Sequence, residues 1–398
     1  MMAQEEEELT HCPFEWLVHE EDDGEVDDAF EVVMEEDEEE AALASLREEL
    51  GNLDRTDFSE ARSFCNAYEA LGKCGYVCRS AVKLANLDDI VGGALTKDTR
   101  RFADACAAPG GFSQYILSRS NARGLAMTLR GKNADGDGLE MFPQENLEVF
   151  DGNDGSGDVY VDGKAFAEIA KPCDLVVCDG GFDHSRNHID QDRALERLAK
   201  CEFAVALQAL TDGGSCVLKL FLPLRRATSI IALAHMFFEK IALIKPLASR
   251  PTSGEVYLVA LNFINNASDM TYAAKRLRGE TGSLGERRTT KTTQFQQRVL
   301  NFSRRERKTL LRSQTDACFA LLARAQGVPR HFHDDQRALC RRLRTRWGLS
   351  SNKTFPPKRN IQQSDLLRKK TKNLKEDNDE KNEDLEFAVI KVSSAHDA

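Results

Sequence analysis

Residues 104–113 read Asp104-Ala105-Cys106-Ala107-Ala108-Pro109-Gly110-Gly111-Phe112-Ser113, an apolar run that ends in small side chains and turns into a helix-like start. Small residues at a strand end let a ligand approach the backbone, and the first N–H groups of the following helix point toward it. The stretch has neither the GxGxxG spacing of a dinucleotide loop nor the GxxxxGK[ST] of a nucleoside-triphosphate loop, so both readings fall. What remains fits a methyl donor, and Asp104, Ala107, Pro109, Gly110, Gly111 and Phe112 are its candidate contacts. Gly110 and Gly111 are expected to leave room for a ligand lying over the strand ends. Asp158, in Gly157-Asp158-Val159, stands where a third strand is expected to end. Its carboxylate is either an acceptor for an adenine amino group or an ordinary turn aspartate.

Two more charged residues sit where chemistry is done in open α/β sheets, at the carboxyl ends of apolar runs. Asp179 follows Asp174–Cys178, and Lys219 closes the run that begins at Ser215. Either alone reads as a surface charge. The elements that must position them alternate in type. Phe102–Cys106, Gly124–Thr128, Asp174–Cys178, Ser215–Leu220, Ile241–Lys245 and Val256–Asn262 read as strands. Gly111–Arg119, Arg193–Leu210 and Ala227–Lys240 read as helices between them. This alternation predicts a parallel, doubly wound sheet. The last two strands lie too close in sequence for a helical crossover and should pair antiparallel.

The formal net charge of −11 is unevenly spread. Residues 1–60 hold about two dozen acidic side chains against two basic ones, so the rest is net positive by about ten. We expect residues 1–57 to form an acidic, largely disordered tail with a short helix in 41–60, 58–265 a catalytic domain, 266–350 a basic helical extension packed on it, and 351–398 a flexible charged tail. No stretch approaches the length of a membrane span, and the glutamate-rich start does not resemble a signal peptide. The 11 cysteines lie among apolar neighbours without paired CxxC units, which favours reduced core thiols over a zinc site. Cys74 and Cys78 stand one helical turn apart but lack further ligands.

Five ordered segments carry a resemblance: the glycine loop; Met127-Thr128-Leu129-Arg130-Gly131; Cys178-Asp179-Gly180-Gly181-Phe182; Val217-Leu218-Lys219; and Ser249-Arg250-Pro251-Thr252-Ser253-Gly254-Glu255-Val256-Tyr257. Arg79-Ser80-Ala81-Val82-Lys83-Leu84-Ala85-Asn86 precedes them. From about Arg62 to Trp347 the chain resembles the FtsJ-type RNA ribose methyltransferases, more closely the eukaryotic cap-specific mRNA nucleoside-2'-O-methyltransferases. The resemblance implies a Rossmann-like, S-adenosylmethionine-dependent α/β fold with a mostly parallel seven-stranded-type sheet, an antiparallel last strand and a helical C-terminal extension. It implies S-adenosyl-L-methionine as cofactor and no metal. It maps the family's Lys-Asp-Lys-Glu tetrad onto Lys83, Asp179, Lys219 and Glu255, with Asp179 also touching the donor.

For such a reaction a ribose 2'-hydroxyl must be aligned with the methyl group and relieved of its proton. Lys219 is the candidate to contact that hydroxyl, either abstracting its proton or orienting it and stabilising the developing oxyanion. A nearby Lys83 is expected to lower its pKa toward a neutral, base-competent amine, while Asp179 opposes that shift and Glu255 fixes one lysine. Arg62 and Asn66 resemble the stretch where cap contacts are found, and Ser249 and Arg250 suit phosphate contact. One departure stands out: where the cap enzymes carry a Glu-Asn pair, this sequence reads Asn187-His188-Ile189-Asp190. The implied substrate is the 5' end of capped mRNA or pre-mRNA, with other capping or transcription machinery as partners, no membrane, and the nucleus as location, with the cytoplasm as the alternative. The alternatives are second-nucleotide cap methylation, ribosomal or transfer RNA methylation, and a non-catalytic RNA-binding scaffold.

Overall fold

The structure is a computed structural model that describes residues 13–20, 24–36, 38–130, 141–181, 188–281, 292–328 and 336–349, with the backbone alone at 188–191. The first elements are β1 (Leu17–Val18), α1 (Val26–Phe30), α2 (Glu38–Gly51), α3 (Arg55–Phe64) and α4 (Ser80–Ile90). Next come β2 (Arg101–Ala105), α5 (Gly111–Arg119), β3 (Arg123–Met127), β4 (Leu147–Phe150), α6 (Val159–Ala170) and β5 (Cys173–Cys178). The chain continues through α7 (His188–Ala209), β6 (Leu210–Phe221), α8 (Thr228–Phe237), β7 (Phe238–Ile244) and β8 (Glu255–Phe263). Helices α9 (Ala267–Leu277), α10 (Gln294–Ala325) and α11 (Gln336–Arg346) follow.

The strands form one sheet in the order β1-β7-β8-β6-β5-β2-β3-β4. Strands β4, β3, β2, β5 and β6 are mutually parallel, and β8 runs antiparallel to both β6 and β7, as expected. Strand β5 (Cys-Asp-Leu-Val-Val-Cys) shows why: nearly every side chain is apolar, which suits a strand covered by helices on both faces. Because β8 is inverted, its first residue, Glu255, lies opposite Phe221 at the edge where the parallel strands end. That reversal puts Glu255 beside residues that follow β5 and close β6.

Among the described residues the sheet has eight strands, one beyond the expected seven-stranded pattern, because Leu17 and Val18 pair with Ile241 and Lys240 on β7. Residues 13–57 are therefore no disordered tail wherever they are described. Beneath their acidic surface, Leu43, Leu46 and Leu50 recur at helical spacing and join Val26, Ala29, Val32 and Met34 in the core. The 32-residue α10 buries Phe295, Val299, Phe302, Leu310, Leu311 and Leu321 against this N-terminal layer and α8. Its start is fixed by a capping box, with Thr293 accepting from the Gln296 N–H and the Gln296 side chain bonding back to Thr293 N.

Several boundaries differ from the sequence reading. The helix expected to reach Lys240 stops at Phe237, because Phe238–Ile244 pairs along its whole length with β8. Helix α7 begins at His188 rather than Arg193, and β6 extends back to Leu210. The strand expected to end at Asp158 ends at Phe150, and helix α6, which Asp158 caps, had no counterpart in the sequence reading. The ten described cysteines form no disulfide. Among the described residues no helix is long and apolar enough to cross a membrane. The expected tail at 351–398 lies outside the described residues.

Candidate active site

The loop after β2 opens on a cleft lined by Ser80, Asp104, Cys106, Ala107, Pro109, Phe112 and Asp179. Asp104 is fully buried on β2, and its Oδ2 accepts from Ser113 N at 3.1 Å and from Ser113 Oγ at 2.5 Å. Its Oδ1 is buried and takes no hydrogen bond among the described residues. Burial, with Asp179 adding to it and Ser113 opposing, pushes the Asp104 carboxyl up to about 7. The glycines also make close contacts within the chain. A Cβ on Gly111 falls 2.1 Å from Ser80 Oγ and 2.4 Å from Cys78 Sγ, so this glycine admits the start of α4. Gly110 caps α5 with φ of 96°, the left-handed region that glycine alone enters freely, and faces the Met141 side chain. Asp158 does not line the cleft; it caps α6, its Oδ1 accepting from Tyr160 N at 2.9 Å, which is the local reading of that residue.

Lys83, Asp179, Lys219 and Glu255 come together at the same edge, from α4, the end of β5, β6 and the start of β8. Lys219 and Tyr257 are cross-strand partners, and Glu255 lies two residues from Tyr257, so all three side chains share one face of the sheet. Lys83 Nζ donates to Glu255 Oε2 at 2.8 Å and lies 3.5 Å from the Tyr257 hydroxyl. Tyr257 Oη donates to Asp179 Oδ1 at 2.7 Å, and Lys219 Nζ stands 3.1 Å from the same oxygen while donating to the Asp179 carbonyl at 2.6 Å. The chain of contacts thus runs Lys83, Glu255 and Tyr257, then Asp179 and Lys219.

The electrostatics reverse the expectation for Lys219. Burial works against its charge, but Asp179, Glu255 and Glu202 outweigh burial, and the ammonium pKa is raised rather than lowered. Lys83 is paired with Glu255 at 2.8 Å, so the expected neighbouring cation comes with a carboxylate that offsets its effect on Lys219. Glu255 is held down at about 2: burial opposes its ionisation, but Lys83 and Lys219 together with a bond from Ser249 outweigh that. Tyr257 is driven well above its ordinary value by burial and by Asp179, so it remains a donor.

Residues 76–263 match the FtsJ-like methyltransferase family. This segment is an FtsJ-like methyltransferase domain. A mouse protein named cap-specific mRNA (nucleoside-2'-O-)-methyltransferase 1 is 34% identical over 241 residues, which is 52% of this chain and 28% of that protein. A Drosophila melanogaster protein of the same name is 31% identical over 236 residues, 52% of this chain and 29% of its own length. The chain thus matches less than a third of the length of these curated relatives. A Plasmodium falciparum crystal structure described as a ribosomal RNA methyltransferase has 23% identity and a TM-score of 0.37, covering 48% of this chain and all of that one.

An FtsJ-like methyltransferase domain implies a methyl donor of the S-adenosylmethionine type, and the cleft suits one. The unpartnered Asp104 Oδ1 offers a buried acceptor to a donor's amino or hydroxyl hydrogens, and Asp179 borders the same cleft. Among the described residues no group of three His, Cys, Asp or Glu side chains is placed to hold a metal ion.

Of the expected substrate contacts, the structure separates two pairs. Asn66 is 1% exposed; its Nδ2 donates to Glu69 Oε2 at 2.6 Å and its Oδ1 accepts from Tyr68 N, so it orients Glu69 instead of facing solvent. Ser249 is 3% exposed and donates from Oγ to Glu255 Oε1 at 2.8 Å, bracing the tetrad. Arg62 and Arg250 do lie close, joined by Arg79, and Arg79 and Arg250 also act on Glu69. Arg79 Nη1 pairs with Glu69 Oε1 at 2.9 Å, and the Arg250 pKa is lowered by burial and then by Arg62 and Arg79. Three guanidiniums outnumber the two carboxylates that act on Arg250, Glu69 and Glu255, and leave an anion-seeking surface. The stretch from Asn187 to Asp190 lies outside the described side chains.

Two residues of this edge were not singled out from sequence. Tyr257 sat within a matched segment, and its spacing from Glu255 was the available signal. Glu202, the lone acid in Cys201-Glu202-Phe203-Ala204-Val205-Ala206-Leu207, lies buried beneath the site. A single carboxylate inside an apolar helical run was its signal.

Proposed function

We propose that this domain transfers the methyl group of S-adenosyl-L-methionine to the ribose 2'-oxygen of the first transcribed nucleotide of capped mRNA. The observation that carries the reading is the Lys219 ammonium, held by Asp179 and flanked by the Lys83–Glu255 pair at the rim of the donor cleft. Asp104 and Asp179, with the backbone at Ala107 and Pro109 and the ring of Phe112, would hold the donor. When bound, the donor supplies an electrophilic sulfonium methyl for attack by the hydroxyl.

Lys219, kept protonated, donates to the 2'-oxygen, aligns its lone pair and stabilises negative charge as the hydroxyl proton leaves. Asp179 Oδ1 is occupied by Tyr257 and Lys219, so its other carboxylate oxygen is the group left to receive that proton and pass it to water. Glu255 keeps Lys83 in place, and the fixed Lys83–Glu255 pair prevents Tyr257 and Asp179 from rotating away. The Arg62, Arg79 and Arg250 cluster supplies positive charge for the triphosphate bridge of a cap. The names of the curated relatives support mRNA caps as substrate, and the same reading sets the protein in the nucleus beside other capping or transcription machinery.

The test is transfer of radiolabelled methyl from S-adenosyl-L-methionine to short RNAs that differ only in bearing an N7-methylguanosine cap or a bare 5' end, followed by nuclease mapping. We expect label on the first ribose of capped RNA alone. Label on the second ribose, or equal labelling of both RNAs, moves the substrate to second-nucleotide or structured-RNA methylation. Donor binding without transfer to any RNA supports a scaffold.

A further inference from the structure

Glu202 is the buried acid at this site that the tetrad leaves unexplained. It projects from α7 into the space under the turn Asp179-Gly180-Gly181, and its Oε1 accepts from Gly180 N at 3.0 Å. The fit is close. A Cβ on Gly180 falls 2.4 Å from Glu202 Oε1, and a Cβ on Gly181 falls 3.1 Å from Lys219 Nζ. The two glycines are therefore the gap through which Glu202 reaches the turn from below and Lys219 lies along it. Glu202 and Lys219 also line one further cavity together with Gly180, between α7 and the end of β6.

We infer that Glu202 is a positioning residue of the proposed methyl transfer, one that pins the Asp179–Gly181 turn to α7 and draws Lys219 inward when it ionises. The inference rests on the function proposed above. Neutral Glu202 accepts from Gly180 N and leaves Lys219 to Asp179 and the substrate. Ionised Glu202 adds a second carboxylate on the inner side of the ammonium and competes with the 2'-oxygen for it.

The surroundings of Glu202 set where this change occurs. Lys219 faces it from β6 and favours its ionised form, as do the Gly180 N–H and the Cys106 thiol. Asp179 opposes ionisation, Cys178 and Cys216 line its surroundings from β5 and β6, and Tyr160 on α6 faces the same charge. Burial dominates and pushes the Glu202 carboxyl up to about 8. The change falls in a range where the folded enzyme can be assayed.

The experiment follows the Lys219 side-chain 13Cε resonance and kcat on capped RNA from pH 6 to 9.5, in the full-length wild type and in Glu202→Gln. We expect the resonance to move with a midpoint near pH 8 in the wild type and to stay flat in the variant. We expect kcat to fall through the same midpoint in the wild type alone. Glu202→Leu, which cannot accept from Gly180 N, should lose about tenfold in kcat where Glu202→Gln retains it. A resonance that titrates identically in wild type and Glu202→Gln overturns the inference. The two failures are distinguishable: a wild type that methylates no RNA overturns the proposed function, while the resonance still decides the role of Glu202.

Discussion

The rim of the donor cleft and the N-terminal face of the same molecule are both built from ion pairs, and the pairs differ in what surrounds them. At the rim, Lys219 and Asp179 have side chains only 9% and 17% exposed, and each charge has more than one partner. On the N-terminal face, Glu15 and Arg305 meet at 2.7 Å with 61% and 52% of their side chains exposed. Arg276 with Asp27 and Arg298 with Glu20 are further contacts of that face. In low dielectric a charge is strongly felt and costly to orphan; in water it is screened. The rim pairs therefore set reactivity, whereas the N-terminal segment is attached by the apolar side chains beneath its acids. Glu40 is the exception that supports the rule: it is buried and held by Arg307 at 2.9 Å and Arg225 at 3.0 Å.

The largest expected effect of breaking this contrast is at Asp179. Asp179→Ala removes the partner of both Lys219 and Tyr257, and kcat on capped RNA should fall by about 10²–10³-fold. Next comes acid stability. The Glu255 pKa lies below its ordinary 4.5 in the folded protein, at about 2, so its contribution is full above pH 4.5 and disappears as pH falls through the folded value. Thermal melts of wild type and Glu255→Gln should differ clearly at pH 6 and converge toward pH 2.5.

The N-terminal face supplies the smaller effects. Leu43→Ala should cost about 2–3 kcal/mol by urea denaturation if these residues belong to the core. Glu15→Gln should change stability by less than about 0.5 kcal/mol, since its pair with Arg305 is exposed. An outcome in which Glu15→Gln destabilises more than Leu43→Ala would reverse the comparison.

The same contrast explains what could be read from the sequence. The cleft loop and the ends of β5 and β6, with Asp179 and Lys219, lie in contiguous runs whose spacing is set by one strand or one turn, so they are legible in one dimension, whereas Lys83 and Glu255 were reached only through the resemblance. The protonation of Lys219 was misread because it depends on Glu255 and Glu202, brought close from β8 and α7. Asn66 and Ser249 look like polar contacts in sequence, yet folding turns them onto Glu69 and Glu255. In the N-terminal region composition concealed periodicity: the density of acids masked Leu43, Leu46 and Leu50, whose spacing alone reports the buried stripe. Strand β1, at two residues, is too short to leave a pattern and exists only because β7 offers an open edge.

The most direct test of the central claim compares donor affinity with single-turnover methyl transfer in wild type and Lys219→Met. If Lys219 acts on the 2'-oxygen as a held ammonium, the Kd for S-adenosyl-L-methionine should stay within about threefold while the transfer rate to capped RNA drops by about 10²–10³-fold. Transfer at the wild-type rate in Lys219→Met would contradict the account.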